Sequence, residues 1–161
     1  MNIFEFAMEK EKYSEDYYRQ LARKANNKGL QTIFNMLADE EAKHYRIVEE
    51  MKDRIPDRVS NTDVLAEGKE IFARMRKGAG KFDFDAGQTE TYKKAQDIEK
   101  DSEEFYLQKA DEVEDQGQKR IFKELADEEK KHYFLLENII EFVSRPQQWL
   151  ENAEFYHLEE Y

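Results

Sequence analysis

Apolar and small residues near the start of the chain recur every three or four positions. Ala7, Glu11, Ser14, Tyr18, Leu21 and Ala25 fall on one stripe of an α-helix. Asn2, with Glu5 three residues later, reads as a capping box, and Gly29 as the stop of a helix over roughly 3–27. A second stripe follows at once: Ile33, Leu37, Glu41, His44, Val48 and Met51. It has to end before Pro56, because the residue ahead of a proline avoids helical geometry.

The same pattern then returns. Residues 7–45 align with 95–133 without a gap, and 19 of the 39 positions are identical, including LADEE at 37–41 and 125–129 and the His-Tyr pairs at 44–45 and 132–133. Two unrelated helical segments would not agree so closely, so the halves arose by duplication and should fold alike. The offset predicts a third helix near 89–115, stopped by Gly117, and a fourth near 119–144, closed by Pro146. Residues 55–87 are too long for a tight turn. Ser60 and Asp63 can cap a short helix there, with Val64, Leu65, Ile71, Phe72 and Met75 as its apolar face, before Gly78, Gly80 and Gly87 loosen the chain. Two helical hairpins joined by one long connection give an all-α four-helix bundle, in which the crossover makes its second and third helices run the same way. The bundle is expected over 1–145. Trp149, Leu150, Phe155, Tyr156 and Tyr161 make the remaining 146–161 an aromatic tail that should pack on the bundle or on a partner.

Composition narrows the class of function. The chain of 161 residues has 39% charged residues and a formal charge of −11, which disfavours nucleic acid and anionic membranes as partners. With 13% aromatic residues and two prolines it nonetheless has the material for a core. The absence of cysteine excludes disulfides, thiolate metal sites and thiol nucleophiles. No signal or membrane segment is evident at the start, where Glu5, Glu9 and Glu11 interrupt any apolar run, and a cytoplasmic location is expected.

Six polar residues then stand out because they lie on stripes that should be apolar: Glu11, Glu41, His44, Glu99, Glu129 and His132. A buried carboxylate costs several kcal/mol unless it is paired or bound to a metal. Each Glu-x-x-His pair places its side chains about 60° apart on one helix face. Two such pairs and two single glutamates, related by the repeat, form one nest of six ligands. Four carboxylates balance two divalent ions, and oxygen with imidazole but no sulfur suits iron, with manganese as the other possibility.

With these motifs the chain resembles the ferritin-like di-iron carboxylate proteins, and within them the rubrerythrin family, over about 3–54 and 89–144. The resemblance implies that Glu41 and Glu129 bridge two irons, that Glu11 and Glu99 are terminal ligands, and that His44 and His132 each cap one ion. It also implies that Tyr18 and Tyr106, one heptad beyond Glu11 and Glu99, stand beside the metals in a catalytic role. Rubrerythrins proper carry a four-cysteine rubredoxin domain, which this chain lacks, so electrons should come from a separate donor such as a rubredoxin. They usually place a further carboxylate where this chain has Ser102, which leaves a symmetric site closer to that of bacterioferritin. Ala42 stands where bacterioferritin has its haem-ligating methionine, so no haem is expected. The implied activity is reduction of hydrogen peroxide or dioxygen by a homo-oligomer, a dimer, in defence against oxidative stress. A ferroxidase feeding iron storage and a metal-stabilised scaffold are the alternatives. Glu40 and Glu128 read as solvent-facing residues, the alternative being that they accept from the second ring nitrogen of a metal-bound histidine, and His157 reads as a surface residue of the tail.

Overall fold

The computed structural model describes residues 2–77 and 88–144. The expectations for Gly78, Gly80, Gly87, Pro146, His157 and the aromatic tail lie outside the described residues. Five helices follow in order: α1 (Ile3–Lys24), α2 (Lys28–Glu50), α3 (Val64–Lys77), α4 (Gln88–Glu112) and α5 (Gln116–Ser144). The chain is an all-α ferritin-like bundle: α1 pairs with α2, α4 pairs with α5, α1 lies beside α4, and α3 in the crossover packs on α2 and α5.

Capping explains where the helices begin. Asn2 Oδ1 accepts from the Glu5 amide at 2.9 Å and Asn27 Oδ1 from the Leu30 amide at 3.0 Å. Its counterpart in the repeat, Asp115, accepts from the Gln118 amide at 2.8 Å. The glycines expected to stop helices therefore have another role. The first helix ends at Lys24, with Ala25 already extended, and Gly29 lies inside the first turn of α2. Gly117 occupies the same place in α5. A Cβ on Gly29 would collide with the Met75 side chain, and one on Gly117 would come within 2.9 Å of Ile55 Cγ1. These glycines admit the crossover against the helix starts. Ser60 is likewise not a cap. Asp63 Oδ1 accepts from the Leu65 and Ala66 amides, while Ser60 Oγ donates to Glu40.

The core is split in two. One apolar cluster includes Tyr18, Leu37, Ala38, Ala95, Leu135 and Phe72 of the crossover helix. The other includes Ala7, Val48, Tyr106, Phe122 and Ala126. Each long helix passes from one cluster to the other, and at the crossing point it carries Glu11, Glu41 with His44, Glu99, or Glu129 with His132. Order along the chain fixes direction: α2 and α4 run from the first cluster to the second, and α1 and α5 run back. Parallel α2 and α4 are the consequence of the crossover that the repeat predicts.

Helix α3 seals the first cluster. Phe72 meets Phe142 edge-on at 5.6 Å between centroids, and Gly68 lets the helix approach Leu135, since a Cβ there would stand 2.7 Å from Leu135 Cδ1. Leu135 is fully buried and has nowhere to retreat. Gly68→Val should therefore cost about 1–3 kcal/mol by overpacking, read as a lowered urea midpoint. An unchanged midpoint would show that the seal is loose.

Candidate metal centre

The polar layer between the two clusters is almost dry: Glu11, Glu41, His44, Glu99, Glu129 and His132 are each at most 2% exposed. All six residues singled out from the sequence come together there. Their ligand atoms form two sets, each with all members within 4.8 Å of one another. Glu11, Glu41, His44 and Glu129 make one; Glu41, Glu99, Glu129 and His132 make the other. Glu41 and Glu129 belong to both. His44 Nδ1 lies 2.8 Å from Glu129 Oε1 and 3.6 Å from Glu11 Oε2. His132 Nδ1 lies 2.7 Å from Glu41 Oε1 and 3.4 Å from Glu99 Oε1. The imidazoles stack nearly parallel, with centroids 5.6 Å apart. Each histidine thus faces the shared glutamate of the opposite half.

Tyr18 and Tyr106 also cross between halves. The Tyr18 hydroxyl donates to Glu99 Oε1 at 2.5 Å, and the Tyr106 hydroxyl to Glu11 Oε1 at 2.5 Å. Burial, together with the neighbouring carboxylates, holds both phenols well above their usual range, so they remain donors. The bonds sort the glutamates. One oxygen of Glu11 and one of Glu99 is taken by a tyrosine, whereas Glu11 Oε2, Glu99 Oε2, both oxygens of Glu41, both of Glu129 and both ring nitrogens of His44 and His132 have no hydrogen-bond partner among the described residues.

These orphaned atoms in a buried layer test the fit to metal directly. Burial first, then the facing carboxylates, push Glu41 and Glu129 well above the ordinary carboxylate range. Burial works to raise Glu11 as well, but His44 and the hydrogen bonds from Glu41 and Tyr106 together more than offset it and hold that carboxyl low. Against the opposing effect of burial, Glu11, Glu128 and Glu40 hold His44 up. Without cations the layer must take up protons; with them the carboxylate oxygens and one nitrogen of each histidine gain a partner. Oxygen and imidazole donors without sulfur are compatible with iron.

Two residues were misjudged from the sequence. Glu40 and Glu128 are buried, at 1% and 9% exposure, rather than solvent-facing. Lys43 pairs with Glu40 at 3.2 Å, and Glu128 comes within 4.8 Å of ring nitrogens of both His44 and His132. Their presence at matching positions of both repeats was the available signal.

No described helix is long and apolar enough to cross a membrane. No significant match to a curated protein or to a solved structure was found. The rubrerythrin family model matches residues 2–140, which takes in all five helices through most of α5 and every residue of the polar layer. A bundle of this topology with such a layer at its centre fits that match, and the chain belongs to the rubrerythrin family.

Proposed function

We propose that the chain is a non-haem di-iron oxidoreductase that reduces hydrogen peroxide, or dioxygen as a second oxidant, with electrons from a separate donor such as a rubredoxin. The observation that carries this reading is the pair of four-residue sets sharing Glu41 and Glu129. In this reading Glu41 and Glu129 would be shared by two ions, Glu11 and Glu99 would each serve one as a terminal ligand, and His44 and His132 would each cap one. Two ions of iron, or of manganese in its place, supply two electrons together, which matches the need of H2O2 + 2 H⁺ + 2 e⁻ → 2 H2O.

The chain's own residues do the remaining work. Tyr18 and Tyr106 fix Glu99 and Glu11 in place by each donating to one carboxylate oxygen, and they hold a proton at each phenol. The apolar clusters above and below exclude bulk water, which strengthens the electrostatic interactions within the layer. These 161 residues contain no cysteine for a rubredoxin-type centre, which supports a separate electron donor in this reading. The expected setting is cytoplasmic, and the expected assembly a homodimer.

Iron(II)-loaded protein mixed anaerobically with one equivalent of peroxide should be oxidised much faster than by dioxygen, and turnover should need only an added reductant. Reaction with dioxygen alone, followed by uptake of iron far beyond the centre's own complement, would replace this reading with the ferroxidase one.

A further inference from the structure

Helices α1 and α4 lie side by side with a groove of about 350 Å³ between them, walled by Phe6, Tyr13 and Ile98 and floored by Ser14 and Ser102. The two serines are repeat mates, three residues beyond Glu11 and Glu99 on the same helix faces, so each stands one turn from a glutamate of the centre. They are 1% and 3% exposed, so they lie at the buried side of the groove, toward the glutamates.

Ser14 is unusual among the helical hydroxyls. Those of Thr32, Thr91 and Ser144 donate to a carbonyl three or four residues back. Ser14 Oγ is buried and has no hydrogen-bond partner among the described residues, although its residue lines the groove. A buried donor left without a partner is destabilising. That cost is removed if an oxygen-bearing molecule stands on the inner side of the serine.

We infer that this groove is the access route by which a small uncharged oxidant reaches the centre, and that Ser14 and Ser102 donate hydrogen bonds to it there. The class follows from the surroundings. Glu9 and Asp101 outnumber Lys10 at the rim, and four carboxylates stand behind the floor, so anions are repelled. The apolar walls discourage hydrated cations. A neutral molecule that both accepts and donates hydrogen bonds, as hydrogen peroxide does, meets neither obstacle. The identity of the oxidant rests on the function proposed above; the route does not.

Nitric oxide, a small neutral probe that binds iron(II) with a visible spectral change, separates the two. In iron(II)-loaded protein, Ser14→Leu and Ile98→Trp should slow formation of the nitric oxide adduct by about tenfold or more, the rate equivalent of one modest added barrier. Ile98 is only partly buried, so its variant narrows the groove without adding bulk to the core and stands if the leucine variant fails to fold. Ser14→Val and Ser102→Val should leave nitric oxide access within about twofold but slow oxidation by peroxide about tenfold, as expected for one lost hydrogen bond. Wild-type nitric oxide rates in both Ser14→Leu and Ile98→Trp would overturn the route, and wild-type peroxide rates in both valine variants would overturn the role of the hydroxyls. Blocked nitric oxide access in a protein whose wild type ignores peroxide would uphold the route and reject the proposed oxidant.

Discussion

Metal-free protein should lose stability steeply as the pH rises, whereas iron-loaded protein should not. Glu41 and Glu129 are held well above the unfolded carboxyl value of 4.5 by burial and by their neighbours. The native state therefore binds more protons than the unfolded chain between 4.5 and the folded values, and stability falls with increasing pH across that window. Each such group removes up to about 1.4 kcal/mol per pH unit. His44, raised above 6.5, adds to the fall, because the stability it contributes is present at low pH and lost as the pH passes its folded value. Glu11 is shifted down, and its contribution is lost only on acidification. At roughly 2–4 °C per kcal/mol for a chain of this size, the metal-free melting temperature should drop by at least several degrees as the pH rises above about 5. Cations replace the protons in loaded protein and flatten its profile. Parallel profiles, measured by scanning calorimetry with and without iron, would mean that the layer is not a metal site.

Alanine at a shared glutamate should be far more damaging than alanine at an unshared one. Glu41 and Glu129 present two partnerless oxygens each and belong to both ligand sets. Glu11 and Glu99 present one each, their other oxygen being held by a tyrosine. In the proposed two-ion centre, Glu41→Ala or Glu129→Ala removes a ligand from both ions and should abolish most of the bound iron. Glu11→Ala or Glu99→Ala should leave about half, since each belongs to one set only. Iron content per chain by elemental analysis, on protein shown to be folded by circular dichroism, checks this. Equal losses in all four variants would reject the division of roles.

The helix stripes and the 88-residue offset made most of this architecture legible from the sequence, because amphipathic periodicity and duplication are properties of the residue pattern itself. The six polar residues stood out for the same reason: they break an apolar stripe, and they break it twice. What escaped depends on distances between elements. Gly29 and Gly117 have the composition of a helix stop, but Met75 and Ile55 of the crossover press on them, and no local signal announces that contact. Glu40 and Glu128 look like solvent-facing charges on a helical wheel. Glu40 is covered by Ser60 of the crossover and paired with Lys43, and Glu128 lies beside the histidines. The partners of Tyr18 and Tyr106 were likewise hidden. Each tyrosine stands on the helix of one glutamate and bonds the glutamate of the other half, which only the docking of the hairpins decides.

That exchange bears on how such a protein could have begun. Tyr18 serves Glu99 while Tyr106 serves Glu11, and His44 faces Glu129 while His132 faces Glu41. These are reciprocal contacts, residue i to j and j to i, of the kind that defines an isologous twofold interface between identical subunits. A single hairpin holds neither a complete ligand set nor the tyrosine that orients its own lone glutamate. Before the halves were fused, the ancestral unit could have assembled this centre only as a pair. The crossover now makes that pairing a permanent property of one chain and frees each half to diverge from the other.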